Sequence, residues 1–297
     1  MAEKPRPQDI QREGWISIPA ALVQEAGVLR LHEPATADRQ RLIHQLQDGI
    51  YPRPFVLDDG KVRRLQFSLK LVQSEMCIAD PTALALAYTR AMTGFLLIHP
   101  NPRHIVVVGL GGGSLSKWCH RHLARSRITA LEYSADVIAC RDWFALPPDD
   151  ERLQVIEAEA AAWFAQHASE TRADVILLDA YDEDGLAPQL CTDSFYADLR
   201  AALKPDGVLV ANISGYGPLT ETHITLMNHV FHSRVVVIDV SRDGNRIAYA
   251  FNNPAHPPAW ESLSRAARSL DERFDLDIAT LLRDMEKSAR RQKRKAR

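Results

Sequence analysis

The chain has 297 residues, 46% of them hydrophobic and 25% charged, with a formal net charge of −2 and four cysteines. That balance is ordinary for a soluble globular protein, and the length allows one large core plus a smaller appendage. It holds no apolar run near the roughly 20 residues of a membrane span, and its start, MAEKPRPQDIQREG, is too polar for a signal peptide, so a cytoplasmic location with no membrane partner is expected.

Cys77, Cys119, Cys140 and Cys191 lie far apart without zinc or thioredoxin spacing, and are read as reduced, mostly buried thiols. From Lys287 to Arg297 the chain carries seven of its 36 basic residues and no acid, leaving 29 basic against 38 acidic residues elsewhere. An acidic body favours a small cationic substrate. The tail KSARRQKRKAR is read as a solvated extension of the last helix rather than a contact for nucleic acid or an anionic membrane.

In chain order, the first thirty residues show little pattern beyond WISIPAALV, and a polar helix follows from about Asp38 to Asp48. The segment VRRLQFSLKLVQSEMCI, after the turn Asp58-Asp59-Gly60, alternates as strands of a small antiparallel sheet do. Residues 1–80 are therefore expected to form an N-terminal extension and a small antiparallel region. After Pro81, TALALAYTRAMTGFLLI has apolar residues on nearly every face and predicts a helix packed between two layers. Strand and helix patterns then alternate through HIVVVGL, SLSKWCHRHL, RITALEY, ADVIACRDWF, LQVIEA, AAAWFAQHA and ADVILLDA, followed by a helix near Thr192 and the strand GVLVANIS. Continuous β-branched runs predict a mostly parallel sheet with both faces covered. RVVVIDV and RIAYAFN, joined by Asp243-Gly244-Asn245, predict a closing hairpin with an antiparallel strand at the sheet edge. The expected fold is an α/β, methyltransferase-type (Rossmann-like) sheet of seven strands over residues 81–258, followed by a C-terminal helix and basic tail over residues 259–297.

The loop Gly109-Leu110-Gly111-Gly112-Gly113-Ser114 after the first parallel strand would let the backbone approach a ligand, and the next helix offers free N–H groups. Glycine clusters also end strands for structural reasons alone. Glu132, about twenty residues on, ends the second strand where a carboxylate can accept from ribose hydroxyls. Glu159 after the third strand is either an acceptor for an adenine amino group or an acid favoured by a helix N-terminus. The fourth strand ends in Asp179-Ala180-Tyr181-Asp182-Glu183-Asp184-Gly185, and so many carboxylates together call for a cation. No histidine joins them and the order lacks calcium-loop spacing, so a substrate amine is preferred to a metal.

At this point the chain resembles the polyamine aminopropyltransferases, the spermidine synthase family, from about Gln73 to Phe251. The stretch DVILLDAYDEDGLAPQLCTDSFYADLRAALKPDGVLV carries most of the likeness, supported by QSEM, HPNPRHIVVVGLGGGSLS and GNRIAYAF. The resemblance implies that Gln73 and the Gly109, Gly111, Gly112 and Gly113 loop contact a nucleoside co-substrate, that Glu132 holds its ribose and that Glu159 sits at the adenine. It implies that Asp179 orients and deprotonates the attacking amine, with Asp182 as companion, and that no metal takes part. The N-terminal hairpin would be a homodimer surface, again by resemblance. Departures are visible. Gly112 stands where the family's loop carries an aspartate for the aminopropyl ammonium, Tyr88-Thr89-Arg90-Ala91-Met92 replaces a helix bearing histidine and glutamate, and Glu183 replaces a proline. Glu159 lengthens an aspartate.

Transfer of an aminopropyl group from decarboxylated S-adenosylmethionine to an amine is thus the expected activity. Gly112 and Arg90, which could pair with a carboxylate, motivate a methyltransferase or aminocarboxypropyltransferase using intact S-adenosylmethionine. The missing amine-site residues motivate a noncatalytic nucleoside- or polyamine-binding homologue.

Overall fold

The computed structural model describes residues 12–182, 185–186, 188–215, 217–240, 244–255 and 259–295. The chain divides into two compact units, one of Met1–Ala85, Leu110–Trp118 and Ser134–Pro148, the other of Leu86–Gly109, Cys119–Tyr133 and Asp149–Arg297.

In the first unit, β1 (Ile16–Pro19), β2 (Val28–Leu31), β3 (Phe55–Asp58), β4 (Val62–Ser68) and β5 (Leu71–Cys77) form one antiparallel sheet in chain order. Alternate residues Ile16, Ile18, Leu29, Leu31, Phe55 and Leu57 point into a core closed by Leu42 and Leu46 of α1 (Arg39–Gln47). Asp38 caps α1 by accepting from the amides of Gln40 and Arg41. The alternation of residues 62–77 marked the β4–β5 hairpin correctly, but the sheet is larger than that pattern showed. β1 to β3 are four residues each, too short for a period of two to stand out.

The remaining elements, in chain order, are α2 (Ala87–Met92), β6 (His104–Val108), α3 (Ser114–His122), β7 (Arg127–Glu132), α4 (Ala135–Ala139), β8 (Leu153–Glu157), α5 (Ala160–Thr171) and β9 (Ala173–Leu178). They continue with β10 (Tyr181–Asp182), β11 (Gly185–Leu186), α6 (Asp193–Ala202), β12 (Leu203–Ser214), α7 (Pro218–Val230), β13 (Val235–Val240), β14 (Asn245–Phe251), α8 (Ser264–Phe274) and α9 (Ile278–Lys295). The helix expected from residue 82 is shorter than its apolar pattern. α2 gives way to a 3-10 turn at Thr93–Leu97, and the Ala91 carbonyl, which a continuing helix would offer to Phe95, accepts instead from the Tyr249 hydroxyl.

In the second unit seven strands lie in the order β13-β14-β12-β9-β6-β7-β8. β12, β9, β6, β7 and β8 run parallel, while β14 pairs antiparallel with both β12 and β13. The antiparallel strand therefore lies one place in from the edge, because the hairpin folds back and inserts β14 against β12, leaving β13 outermost. Val106, Val108, Ile176, Leu178, Leu209 and Ala211 form one layer of the core with Phe164 of α5, Phe195 and Leu199 of α6 and Met227 of α7. β6 and β9 are buried along their whole length, as their unbroken β-branched runs require.

This packing fixes the strand ends where ligands bind in open α/β sheets. The Asp179 amide donates to the Val108 carbonyl at 2.8 Å, drawing the end of β9 tightly against the turn after β6. Gly109 makes that turn with φ +89°, and a Cβ there would lie 2.2 Å from the Asp179 carbonyl oxygen. Gly109→Ala should therefore cost at least about 2 kcal/mol in urea unfolding, through both strain and overlap. A variant as stable as the parent would show that the turn is not constrained in this way.

Candidate active site

Asp179 directly follows β9, half-buried, and each of its carboxylate oxygens receives one neutral donor. Asn212 Nδ2 donates to Oδ1 at 2.8 Å and the Tyr88 hydroxyl donates to Oδ2 at 3.2 Å. Sheet register explains the first contact. Ala211 of β12 pairs with Leu178 of β9, so the next residue of each strand brings amide and acid together. Desolvation raises the Asp179 carboxyl to about 6, and the hydrogen bonds from Asn212 and Tyr88 oppose that rise. The site thus holds a carboxyl more basic than an ordinary one yet still largely ionised at neutral pH.

Glu132 lies at the end of β7, half-buried, with Glu157 of β8 beside it in register. Glu159 is the N-cap of α5, and its two oxygens accept from the amides of Ala161 at 3.0 Å and Ala162 at 2.6 Å. The helix-terminal reading of that acid is therefore realised in the structure, and an adenine amino group would have to use the remaining lone pairs. Asp182 lies in β10, opposite Gly185 of β11, three residues after Asp179. Its side chain, and Glu183 and Asp184 altogether, lie outside the described residues. Among the described residues, no three His, Cys, Asp or Glu side chains gather where a metal ion could be held.

The first unit holds the rest of the glycine loop and Gln73, which is half-buried in β5. Around Gly112 there is no space for a side chain, since a Cβ would lie 2.7 Å from Ser74 Oγ and 2.8 Å from Phe144 Cδ1. The Phe144 segment is anchored by buried Lys117, whose Nζ donates to the Phe144 carbonyl at 2.6 Å. Burial depresses that ammonium to about 8. Leu146 packs where a Cβ on Gly113 would point, at 2.8 Å.

Burial pushes the Cys119 and Cys140 thiols up to about 12, which leaves them unsuited to nucleophilic work at neutral pH. Tyr88 and Asn212 were not singled out from the sequence as partners of Asp179. For Asn212 a signal existed: an amide inside the apolar run GVLVANIS must find a hydrogen bond. For Tyr88 there was none, because α2 lies far from β9 in sequence and only folding brings its hydroxyl to the acid.

The sequence model described as the spermine/spermidine synthase domain matches residues 85–240. A polyamine aminopropyltransferase of Chromobacterium violaceum is 32% identical over 228 residues, covering 76% of this chain and 87% of that protein. Among solved structures, a spermidine synthase in complex with the transition state analogue AdoDATO superposes with a TM-score of 0.55 at 20% identity, covering 67% of this chain and 70% of that one. Human methyltransferase-like protein 13 in complex with SAH gives 0.58 at 23% identity, covering 67% of this chain and 93% of that one. At these identities the two structures speak for the fold alone, whereas the sequence match spans more than half the chain, and the chain belongs to the spermine/spermidine synthase family.

Proposed function

We propose that the chain is an alkyltransferase that moves an aminopropyl group from decarboxylated S-adenosylmethionine to a small cationic amine. The observation that carries this reading is a desolvated carboxylate, Asp179, held by two neutral donors at the end of β9 in a chain of this family. An alkyl amine with a pKa near 10.4 is neutral in about one molecule in 10³ at pH 7, a penalty of roughly 4–5 kcal/mol on the attacking form. A carboxylate beside the ammonium attracts it, directs its nitrogen and accepts the proton as the bond forms. The nitrogen lone pair then forms a bond to the carbon next to sulfur, and the carbon–sulfur bond breaks with its electron pair on sulfur. A neutral thioether, methylthioadenosine, leaves. Asp179 titrating near 6 suits this role, because it is ionised when the amine arrives and takes a proton more readily than an exposed carboxylate would.

The same reading gives Glu132 to the ribose, Glu159 to the adenine and Asp182 to the acceptor amine, and retains Gln73, Gly111, Gly112 and Gly113 as donor contacts. These roles, like a homodimer through the N-terminal hairpin and a cytoplasmic location, rest on the family pattern. For location, no helix among the described residues is long and apolar enough to cross a membrane.

One observation favours a second reading. The loop cannot present a carboxylate at position 112, where Ser74 and Phe144 fill the space, so it offers an ammonium tail no charged partner there. Intact S-adenosylmethionine, whose tail carries its own carboxylate, is the co-substrate of that alternative. Isothermal titration with both co-substrates separates the two. The aminopropyl reading expects tighter binding of the decarboxylated form, and a tenfold preference for the intact one, about 1.4 kcal/mol, would replace it.

Following methylthioadenosine release with putrescine, spermidine or cadaverine, Asp179→Asn should lower turnover by about 10²-fold or more. Unchanged turnover would remove Asp179 from the mechanism, and the absence of release with every amine tried, while nucleoside still binds, would favour a binding homologue.

Stability tests the same acid independently. With a folded value near 6 and an unfolded value near 3.9, the native state binds the extra proton, so stability falls as pH rises from about 4 to about 6. Asp179→Asn should accordingly be more stable than the parent by about 1–3 kcal/mol at pH 7.5, allowing for partial solvent screening, with the gain vanishing below pH 4. An equal gain at both pH values would mean that desolvation of the charge is not its source.

A further inference from the structure

Asn212 is 3% exposed in β12, where Val208, Leu209, Val210 and Ala211 are fully buried and Ile213 nearly so. An apolar residue would pack in such a strand without cost, whereas an amide placed there must be hydrogen-bonded to avoid a desolvation penalty of about 1–3 kcal/mol. Its Nδ2 spends a hydrogen bond on Asp179 Oδ1 at 2.8 Å. We infer that Asn212 is a positioning residue, aiming the ionised Asp179 carboxylate at the acceptor amine through a neutral donor fixed by the β9–β12 register. For its effect on turnover the inference rests on the aminopropyl-transfer reading. Its geometric part does not.

The choice of an amide has a chemical consequence. A lysine or arginine would hold the carboxylate equally firmly, but the ion pair would depress its basicity by about 1–3 pH units and compete with the incoming ammonium. An amide does neither, and it cannot itself titrate in the working range. Because Asn212 sits on a central strand, with β9 on one side and β14 on the other, its Cα has little freedom and the carboxylate direction is set by the sheet. Tyr88, on the short helix α2, takes the other oxygen over a longer bond of 3.2 Å.

The elements around the end of β9 bring few other groups to bear. α2 carries Tyr88 and, two residues on, the half-buried Arg90, while β12 carries Asn212. The turn after β6 brings the backbone of Gly109, and β10 carries Tyr181 and Asp182, whose side chains are not among those described. The groups that move the Asp179 titration are Asn212 and Tyr88, together with desolvation.

The test uses the full chain carrying Asn212→Leu, with Asn212→Val as a second donorless variant suited to a strand and Asn212→Gln as the conservative replacement. The Asp179 carboxyl carbon is followed by NMR against pH, its resonance assigned by its loss in Asp179→Asn, and kcat and KM for the amine are measured across the same range. Loss of the donor should raise the carboxyl midpoint and the acidic limb of the rate profile together, by about 0.5–1 pH unit. It should lower kcat about tenfold with little change in KM, and Asn212→Gln should recover part of both. A folded Leu or Val variant with parental midpoint and kcat would overturn the inference. If the parent turns over no amine, the transfer reading fails, yet the carbon titration still decides whether Asn212 holds the acid.

Discussion

A carboxylate at the end of a buried parallel strand, bonded by an amide and a phenol, is the interaction on which this site depends. Desolvation makes the Asp179 charge expensive, and the two donors return part of that cost without neutralising it. The balance leaves an acid that is ionised near neutrality and still basic enough to take a proton. A stronger partner would have made a stable ion pair and a poor base, and no partner would have left a neutral acid with little hold on an ammonium group.

The fold supplies that balance through register rather than through local sequence. Asp179 and Asn212 come from neighbouring strands whose pairing is fixed by apolar residues on both faces, and Tyr88 comes from a helix that the Tyr249 hydroxyl helps to end at its fifth residue, Ala91. Gly109 allows β6 to turn away while its α-carbon lies against the Asp179 backbone. The same economy of space closes position 112, where this chain packs Ser74 and Phe144.

Much of this was legible in the order of residues. Unbroken β-branched runs marked the parallel strands, the glycine at 109 marked the turn that ends β6, and Asp38 marked the start of α1. What escaped was whatever depends on contacts between distant segments. β1 to β3 are too short to declare a period, the helix after residue 82 is cut by a hydroxyl from β14, and β14 inserts beside β12 instead of closing the edge. Glu159 could be read two ways, and its bonds to the amides of Ala161 and Ala162 show a cap while leaving its ligand role open to test. Asn212 was visible as a polar residue in an apolar run, but its partner was not, because nothing within β12 says which acid its amide will meet.

The most direct measurement is a crystal structure of the chain with methylthioadenosine and a diamine bound together. The expected result is one diamine nitrogen within hydrogen-bonding distance of an Asp179 oxygen, on the side left open by Asn212 and Tyr88, and facing the methylthio end of the nucleoside. A diamine seated elsewhere, with Asp179 engaged by a protein cation or a metal ion, would contradict it.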